Sequence, residues 1–225
     1  LEIGFGGSSR IPNGSIDQVR IFSTALTAAN VTSLYNEVQC APTIVPSQHF
    51  NANTYFGNGA TQVIDAKFNE AANFNGSSSY IDIPTIPNIT GSGSNFSFSA
   101  WINFDGTSGD RYIMGFRENS YVEIGFNSGY SPRELEFKVN DGANKTVLVS
   151  ESEITNNTWH HICLTAESSG NLTAYLDGNS KGTTAIGSIG NAGQQNAIGA
   201  YSTGTAAGYF TGKIDQVRIF DTALT

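Results

Sequence analysis

Residues 96–104 read FSFSAWINF. Phe96, Phe98, Ala100, Ile102 and Phe104 alternate with Ser97, Ser99, Trp101 and Asn103. A period of two is what a β-strand produces when one face is buried, because successive side chains leave opposite sides of the pleat. A helix would scatter the same apolar residues around its circumference. The pattern recurs downstream. Leu135, Phe137 and Val139 alternate with Glu134, Glu136 and Lys138. Asp141-Gly142 then marks a turn, and KTVLVSE (145–151) returns. This is the signature of a hairpin. Leu172, Ala174 and Leu176 alternate with Thr173, Tyr175 and Asp177, closed by Asp177-Gly178. Strands also fit residues 79–83, 111–117, 121–126, 158–166, 196–202 and 212–220. About ten short strands joined by tight turns predict an all-β, two-sheet antiparallel sandwich.

Composition agrees. The chain has 225 residues, of which 13% are charged, against roughly 25% in a typical soluble domain. Its polarity is neutral: 25 Gly, 24 Ser, 22 Asn and 21 Thr. Such residues populate turns between strands and serve helices poorly. A net charge of −8 with 11 basic residues argues against binding a phosphate backbone, so nucleic acid is not an expected partner. No apolar run approaches the ~18 residues of a membrane span, and no signal peptide is visible. Two cysteines, Cys40 and Cys163, are too few for a disulfide scaffold or a Cys-rich zinc site.

The chain contains part of itself twice. IDQVRIFSTALT (16–27) and IDQVRIFDTALT (214–225) agree at 11 of 12 positions and stand 198 residues apart. That spacing is the length of a domain plus linker, not of a solenoid unit. Residues 1–27 are therefore read as the C-terminal strands of a preceding repeat. Residues 28–39 carry Val31, Leu34, Tyr35 and Val38 at helical spacing. Residues 40–60, with two prolines and Gly57-Asn58-Gly59, read as a linker. Segment 28–60 is thus a short helix and linker, and residues 61–225 form one nearly complete domain.

Several segments together resemble the LamG-like jelly-roll family of the concanavalin A-like superfold. They are Phe74-Asn75-Gly76 followed by Ser79-Tyr80-Ile81-Asp82-Ile83, then FSFSAWINF (96–104), TWHHICLTA (158–166), LTAYLDGN (172–179) and GKIDQVRIFDTAL (212–224). Order and spacing match across about residues 66–225. The resemblance implies a jelly-roll sandwich of the kind found in adhesins, accessory domains of secreted enzymes, sialidase lectin domains and phage fibres. Fold alone does not assign function.

Candidate site residues follow. Asp215 shares strand parity with Val217 and Ile219, which would aim a carboxylate at the core. Such a group must be hydrogen-bonded, paired or metal-bound. The family often holds a structural Ca²⁺, so Asp215, Asp177 and Asn75 are candidate ligands. Hydrogen bonds from backbone N–H groups are the competing explanation, and Asn75 stands where the family has a charged aspartate. Asp105-Gly106 and Asp110 fit turn chemistry. His160 and His161 are adjacent on one strand and point to opposite faces, so they cannot chelate one metal together. Trp159, His161 and Cys163 are expected to pack in the sandwich, and the two cysteines to remain unpaired thiols. Tyr112, Phe116, Tyr121, Phe126, Tyr130 and Tyr201 either pack the core or line a sugar-stacking groove. The carbohydrate-binding candidates are Tyr112, Tyr121, Tyr130 and Tyr201. Eight N-x-S/T sequons, a modest excess over chance, matter only in a glycosylating host.

Catalysis is not expected. Ser131-Pro132-Arg133-Glu134-Leu135 faintly resembles a strand of jelly-roll alginate lyases, but their other motifs are absent. No two carboxylates sit at glycosidase-like spacing on one strand face, and there is no G-x-S-x-G. The expected role is a structural or adhesive repeat in a long virion-surface or extracellular protein. Its partners would be neighbouring repeats, copies of itself, and cell-surface glycans. The alternative is a calcium-assisted lectin-type domain of a secreted adhesin or an accessory module of a secreted enzyme.

Overall fold

The computed structural model describes residues 60–63, 66–68, 71–83, 93–118, 120–190, 195–201 and 207–224. All belong to the second of the chain's two units, Ile44–Thr225. The repeated motif at 16–27, the helix expected at 28–39 and Cys40 lie outside the described residues.

Among the described residues thirteen strands follow in chain order. They are β1 (Thr61–Val63), β2 (Ala71–Asn75), β3 (Ile81–Ile83), β4 (Phe96–Phe104), β5 (Arg111–Arg117), β6 (Tyr121–Asn127), β7 (Glu134–Asn140), β8 (Asn144–Ser150), β9 (Trp159–Ala166), β10 (Asn171–Leu176), β11 (Asn179–Ala185), β12 (Gln195–Ile198) and β13 (Thr211–Phe220). They form a seven-stranded sheet, β1-β2-β13-β4-β9-β10-β11, and a six-stranded sheet, β3-β12-β5-β6-β7-β8. All named pairings are antiparallel. The expected jelly-roll sandwich is therefore the observed fold. No described helix is long and apolar enough to cross a membrane.

The alternating strands build the core. Phe96, Phe98, Ala100, Ile102 and Phe104 of β4 face Val122, Ile124 and Phe126 of β6 and Leu135, Phe137 and Val139 of β7 in one buried cluster. Burying each large side chain contributes about 1.5–3 kcal/mol. Phe104 and Phe126 stack across the two sheets with centroids 4.1 Å apart. Three strands lay outside the expected set: β1, β2 and β11. Strand β11, NSKGTTA, is polar and largely exposed, and its register along β10 defines it.

Two expectations are corrected. In β9 the inward residues are His160, Ile162 and Leu164, whereas Trp159, His161 and Cys163 are half-buried on the outer side. Period-two parity has two solutions, and Ile162, Leu164 and Ala166, all fully buried, decide between them. The displaced expectation was that Trp159, His161 and Cys163 pack in the sandwich. The thiol of Cys163 is free, and burial pushes its pKa up to about 11, so it is inert.

The second correction concerns Asp215. A bulge interrupts β13 between Asp215 and Arg218, with Gln216 at φ +50°. The extra residue reverses parity. Ile214 and Ile219 both remain in the core, while Asp215 stands opposite Trp101 on the outer side. There its carboxylate accepts the N–H of Phe68 at 2.8 Å and of Gln216 at 2.6 Å. This anchors residues 67–68 to the sheet. Phe68 meets Trp101 edge-on at 6.1 Å, and the Lys67 ammonium lies 4.2 Å from the indole centroid.

Asp215→Ala leaves those donors without their acceptor, at an expected cost of about 1–3 kcal/mol. A lowered melting temperature and altered tryptophan emission would report the loss of the 67–68 segment from Trp101. Burial lifts the Asp215 pKa above the carboxylate norm, against the backbone hydrogen bonds that lower it. Its stability contribution is thus complete below the ordinary carboxylate pKa and is lost as pH rises through the raised value. Asp215→Asn is expected to flatten that decline in melts run from about pH 3 to 7.

Candidate functional site

The outer side of the six-stranded sheet gathers polar and aromatic side chains from three central strands. Register places Arg117 of β5 opposite Tyr121 of β6. Gly115 lies opposite Glu123, and Tyr112 opposite Gly125. On the next strand, Lys138 faces Glu123 and Glu136 faces Gly125. These positions alternate with the inward residues Met114, Phe116, Val122, Ile124, Phe126, Leu135, Phe137 and Val139. The pleat makes Phe116 and Phe126 core and sets Tyr112 and Tyr121 on the outer face, which Tyr201 and Tyr130 join from outside the strands through their contacts with Tyr112, Arg117 and Glu136.

Two glycines make that face possible. A Cβ at Gly115 would lie 1.8 Å from the Tyr201 carbonyl oxygen. A Cβ at Gly125 would lie 2.8 Å from the Arg111 carbonyl oxygen and 2.9 Å from the Tyr112 ring. Their bare backbones let Tyr201 and Tyr112 lie close against the sheet. Backbone hydrogen bonds hold them there: Tyr112 N–H donates to Gly208 at 2.8 Å, and Tyr201 N–H to Ala207 at 3.1 Å.

The rings form one continuous contact chain. Tyr112 meets Tyr201 edge-on, with centroids 4.9 Å apart. The Arg117 guanidinium sits between two rings, 3.8 Å from the Tyr201 centroid and 4.4 Å from that of Tyr121. The Tyr121 hydroxyl donates to Asn144 Oδ1, which also accepts Asn140 Nδ2 at 2.9 Å. Tyr130, in the β6–β7 connection, donates its hydroxyl to Glu136 Oε1 at 3.2 Å.

Beneath the rings runs an ion ladder. Glu123 pairs with Arg117 and, at 3.4 Å, with Lys138. Lys138 pairs in turn with Glu136 at 2.8 Å, and Asn127 Nδ2 adds a hydrogen bond to Glu136 at 3.0 Å. The Glu123 and Glu136 side chains are only 3% and 5% exposed. Burial raises the Glu123 pKa above the carboxylate norm even though Arg117 and Lys138 oppose the shift. Burial also opposes the charge on Lys138, but Glu136 and Glu123 hold its pKa above the ordinary lysine value. Burial, with the field of Glu123, drives the Tyr112 phenol far above the usual range. Tyr112 thus stays a neutral phenol. The ladder was not anticipated, although its signal was present in the outward alternation of Glu123 on one strand and Glu136 and Lys138 on the next.

The three candidate metal ligands are not brought together. Asn75 Oδ1 accepts the N–H groups of Ser77 and Ser78, both at 2.9 Å, and of Ser79 at 3.1 Å. Its oxygen thus closes the β2–β3 turn. Asp177, at φ +50° in the β10–β11 turn, accepts the His161 N–H at 2.8 Å and pairs with His160 Nδ1 at 2.7 Å. His160 Nε2 accepts the Thr155 N–H at 3.0 Å, which assigns the ring proton to Nδ1. Asp215 ties down residues 67–68. Each oxygen is engaged by a different segment, so this donor set does not fit the six to eight converging oxygens that Ca²⁺ requires. Among the described residues no group of three or more His, Cys, Asp or Glu could hold a metal. Asp105 caps Thr107 N–H at 2.8 Å within its own loop, and Asp110 accepts Ser128 N–H at 2.8 Å, joining the β4–β5 and β6–β7 connections.

Residues 75–225 match the family described as the Concanavalin A-like lectin/glucanases superfamily. No curated protein matches. Among solved structures, domain 4 of AbnA, an extracellular arabinanase of Geobacillus stearothermophilus, in complex with arabinotriose, is similar at 20% identity and TM-score 0.58. The match covers 75% of this chain and 78% of that one. The binding domain of Paraclostridial Mosquitocidal Protein 1 is similar at 19% identity and TM-score 0.58, over 74% of this chain and 43% of that one. The receptor binding domain of botulinum neurotoxin D is similar at 16% identity and TM-score 0.59, over 76% and 44%. The chain thus spans less than half of the two toxin domains. At these identities the likeness is one of fold.

Because the Gly115 Cβ site is filled by backbone, Gly115→Ala must displace Tyr201 or the strand. The expected cost is about 1–3 kcal/mol, or roughly 2–10 °C in melting temperature for a domain of this size. An unchanged melt would contradict the close approach.

Proposed function

The chain belongs to the Concanavalin A-like lectin/glucanases superfamily, and from that premise we propose that it is a non-catalytic, glycan-contacting module of an extracellular or virion-surface protein. The observation that carries this reading is the convergence of Tyr112, Tyr121, Tyr130 and Tyr201 with Arg117 on one sheet face. Aromatic rings that present a fixed apolar surface beside hydroxyl and amide groups suit a sugar, which has apolar C–H faces and polar edges. Tyr121 and Tyr201 are braced by Arg117, so a ligand meets rings that are already ordered. The named ligand of the arabinanase domain, arabinotriose, and the binding role in the names of the toxin domains support the same direction.

The ion ladder supports a binding role over a catalytic one. A glycosidase needs one carboxyl group free to give a proton and another free to attack or activate water. Glu123 and Glu136 are instead both committed to Lys138. The repeated motif at 16–27 and 214–225 supports a place in a tandem array, where modest affinity per module is multiplied by valency.

A glycan array probed with the full chain, with added Ca²⁺ and with EDTA, tests the proposal. Selective binding is expected, and EDTA is expected to leave it unchanged, because Asn75, Asp177 and Asp215 serve backbone donors. Tyr121→Ala and Tyr201→Ala are each expected to weaken binding about tenfold, some 1.4 kcal/mol, while the fold survives. A blank array, or binding indifferent to both substitutions, would reject the face as the site.

A further inference from the structure

We infer that this face selects neutral glycans and excludes acidic ones, a conclusion that rests on the reading of the face as the glycan site. The argument is one of charge accounting. The face carries two cations, Arg117 and Lys138, and two buried carboxylates, Glu123 and Glu136. Each cation is spent on a carboxylate: Arg117 on Glu123, and Lys138 on Glu136 at 2.8 Å and Glu123 at 3.4 Å. The cluster is neutral as a unit. A uronate or sialate carboxylate therefore meets no unspent positive charge in it.

The cations cannot readily be diverted. To greet an acidic sugar, Arg117 would have to leave Glu123, whose side chain is 3% exposed and would keep only the longer 3.4 Å contact to Lys138, itself shared with Glu136. Breaking such a pair by removing one partner is strongly destabilising. Arg117 is also held in place by the rings of Tyr121 and Tyr201. Lys138 would in the same way abandon Glu136, whose other hydrogen bonds come from Asn127 and Tyr130. At the rim, Arg111 donates to the Asp110 carbonyl at 3.1 Å. The chain's overall charge of −8 adds long-range repulsion of anions. A neutral pyranose or furanose pays none of these penalties. It stacks on rings and exchanges water for hydroxyl and amide partners. Its affinity should accordingly be insensitive to salt.

The test uses the full chain and its Glu123→Gln and Glu136→Gln variants. Each substitution leaves a near-isosteric amide and releases one positive charge. The probes are neutral arabino- and gluco-oligosaccharides, oligogalacturonates and a sialylated trisaccharide, each titrated calorimetrically at low and high salt. The wild type is expected to bind a neutral probe at least tenfold more tightly than any acidic one, with no salt dependence. Either Gln variant is expected to gain about tenfold for acidic probes, and added salt to abolish the gain. Melting curves identify which variants remain folded, and one folded variant suffices. Acidic probes bound as tightly as neutral ones by the wild type, and lost with Tyr121→Ala, would overturn the selectivity while leaving the site in place. No gain in a folded Gln variant would overturn it equally. A chain that binds none of these probes, or whose binding ignores Tyr121→Ala and Tyr201→Ala, fails at the earlier step, and the selectivity falls with it.

Discussion

A strand with one face packed on the core cannot slip by a single residue without turning its whole apolar set to water. In β4, the strand between β13 and β9, a one-residue slip would expose Phe96, Phe98, Ala100, Ile102 and Phe104 together. That cost locks the register of its neighbours, and the locked register fixes every position on the outer faces. The face proposed to contact glycans is the other half of the same alternation. Tyr121 and Glu123 stand outward because Val122, Ile124 and Phe126 are held inward. Glu136 and Lys138 stand outward because Leu135, Phe137 and Val139 are held inward. A site built in this way needs no loop to aim it. Its geometry is as firm as the core behind it.

Legibility in the sequence followed the same rule. Where alternation ran unbroken and one parity was plainly apolar, as in 96–104 and 134–139, strand and inward face could both be read from the residue order. Strand β9 failed that test because both parities contain apolar residues. Trp159 and Cys163 compete with Ile162 and Leu164, and the burial of the second set, with His160 paired to the inward Ile102, shows which faces inward. Asp215 failed differently. The bulge at Gln216 adds one residue to the strand, and period-two counting cannot detect an insertion made by a backbone turning to φ +50°. Strand β11 carries no periodic apolar signal, since its residues are polar and largely exposed, and only its pairing to β10 across the Asp177-Gly178 turn defines it.

For the site, residue type was readable and partnership was not. Four tyrosines were identifiable as candidates, but separating them from Phe116 and Phe126 required knowing which side of β5 and β6 faced the core. A second bulge lies in β5 between Tyr112 and Met114, so Tyr112 reaches the outer face only through that irregularity. The contribution of Gly115 was invisible for another reason. A glycine in a strand reads as weakness, and its value here is the space it leaves for the Tyr201 carbonyl. The three candidate metal ligands show a different limit of the sequence. Asp and Asn side chains have the right atoms for a cation, and here backbone N–H groups engage those atoms: Ser77 at Asn75, His161 at Asp177, and Phe68 and Gln216 at Asp215.

The ion ladder shows how the two sides of the sheet depend on one another. Glu123 sits between Val122 and Ile124, both in the core, so its carboxylate cannot move far into solvent to escape its desolvation. It is tolerable only because Arg117 and Lys138 come to it from the neighbouring strands. Arg117, drawn down to Glu123, is then positioned to lie between the rings of Tyr121 and Tyr201. A buried ion pair of this kind adds little net stability, since desolvation offsets most of the attraction. Its effect is on specificity of arrangement. In the placement observed, Arg117 both pairs with Glu123 and lies against the rings of Tyr121 and Tyr201, so the carboxylate and the aromatic cluster are fixed by one side chain.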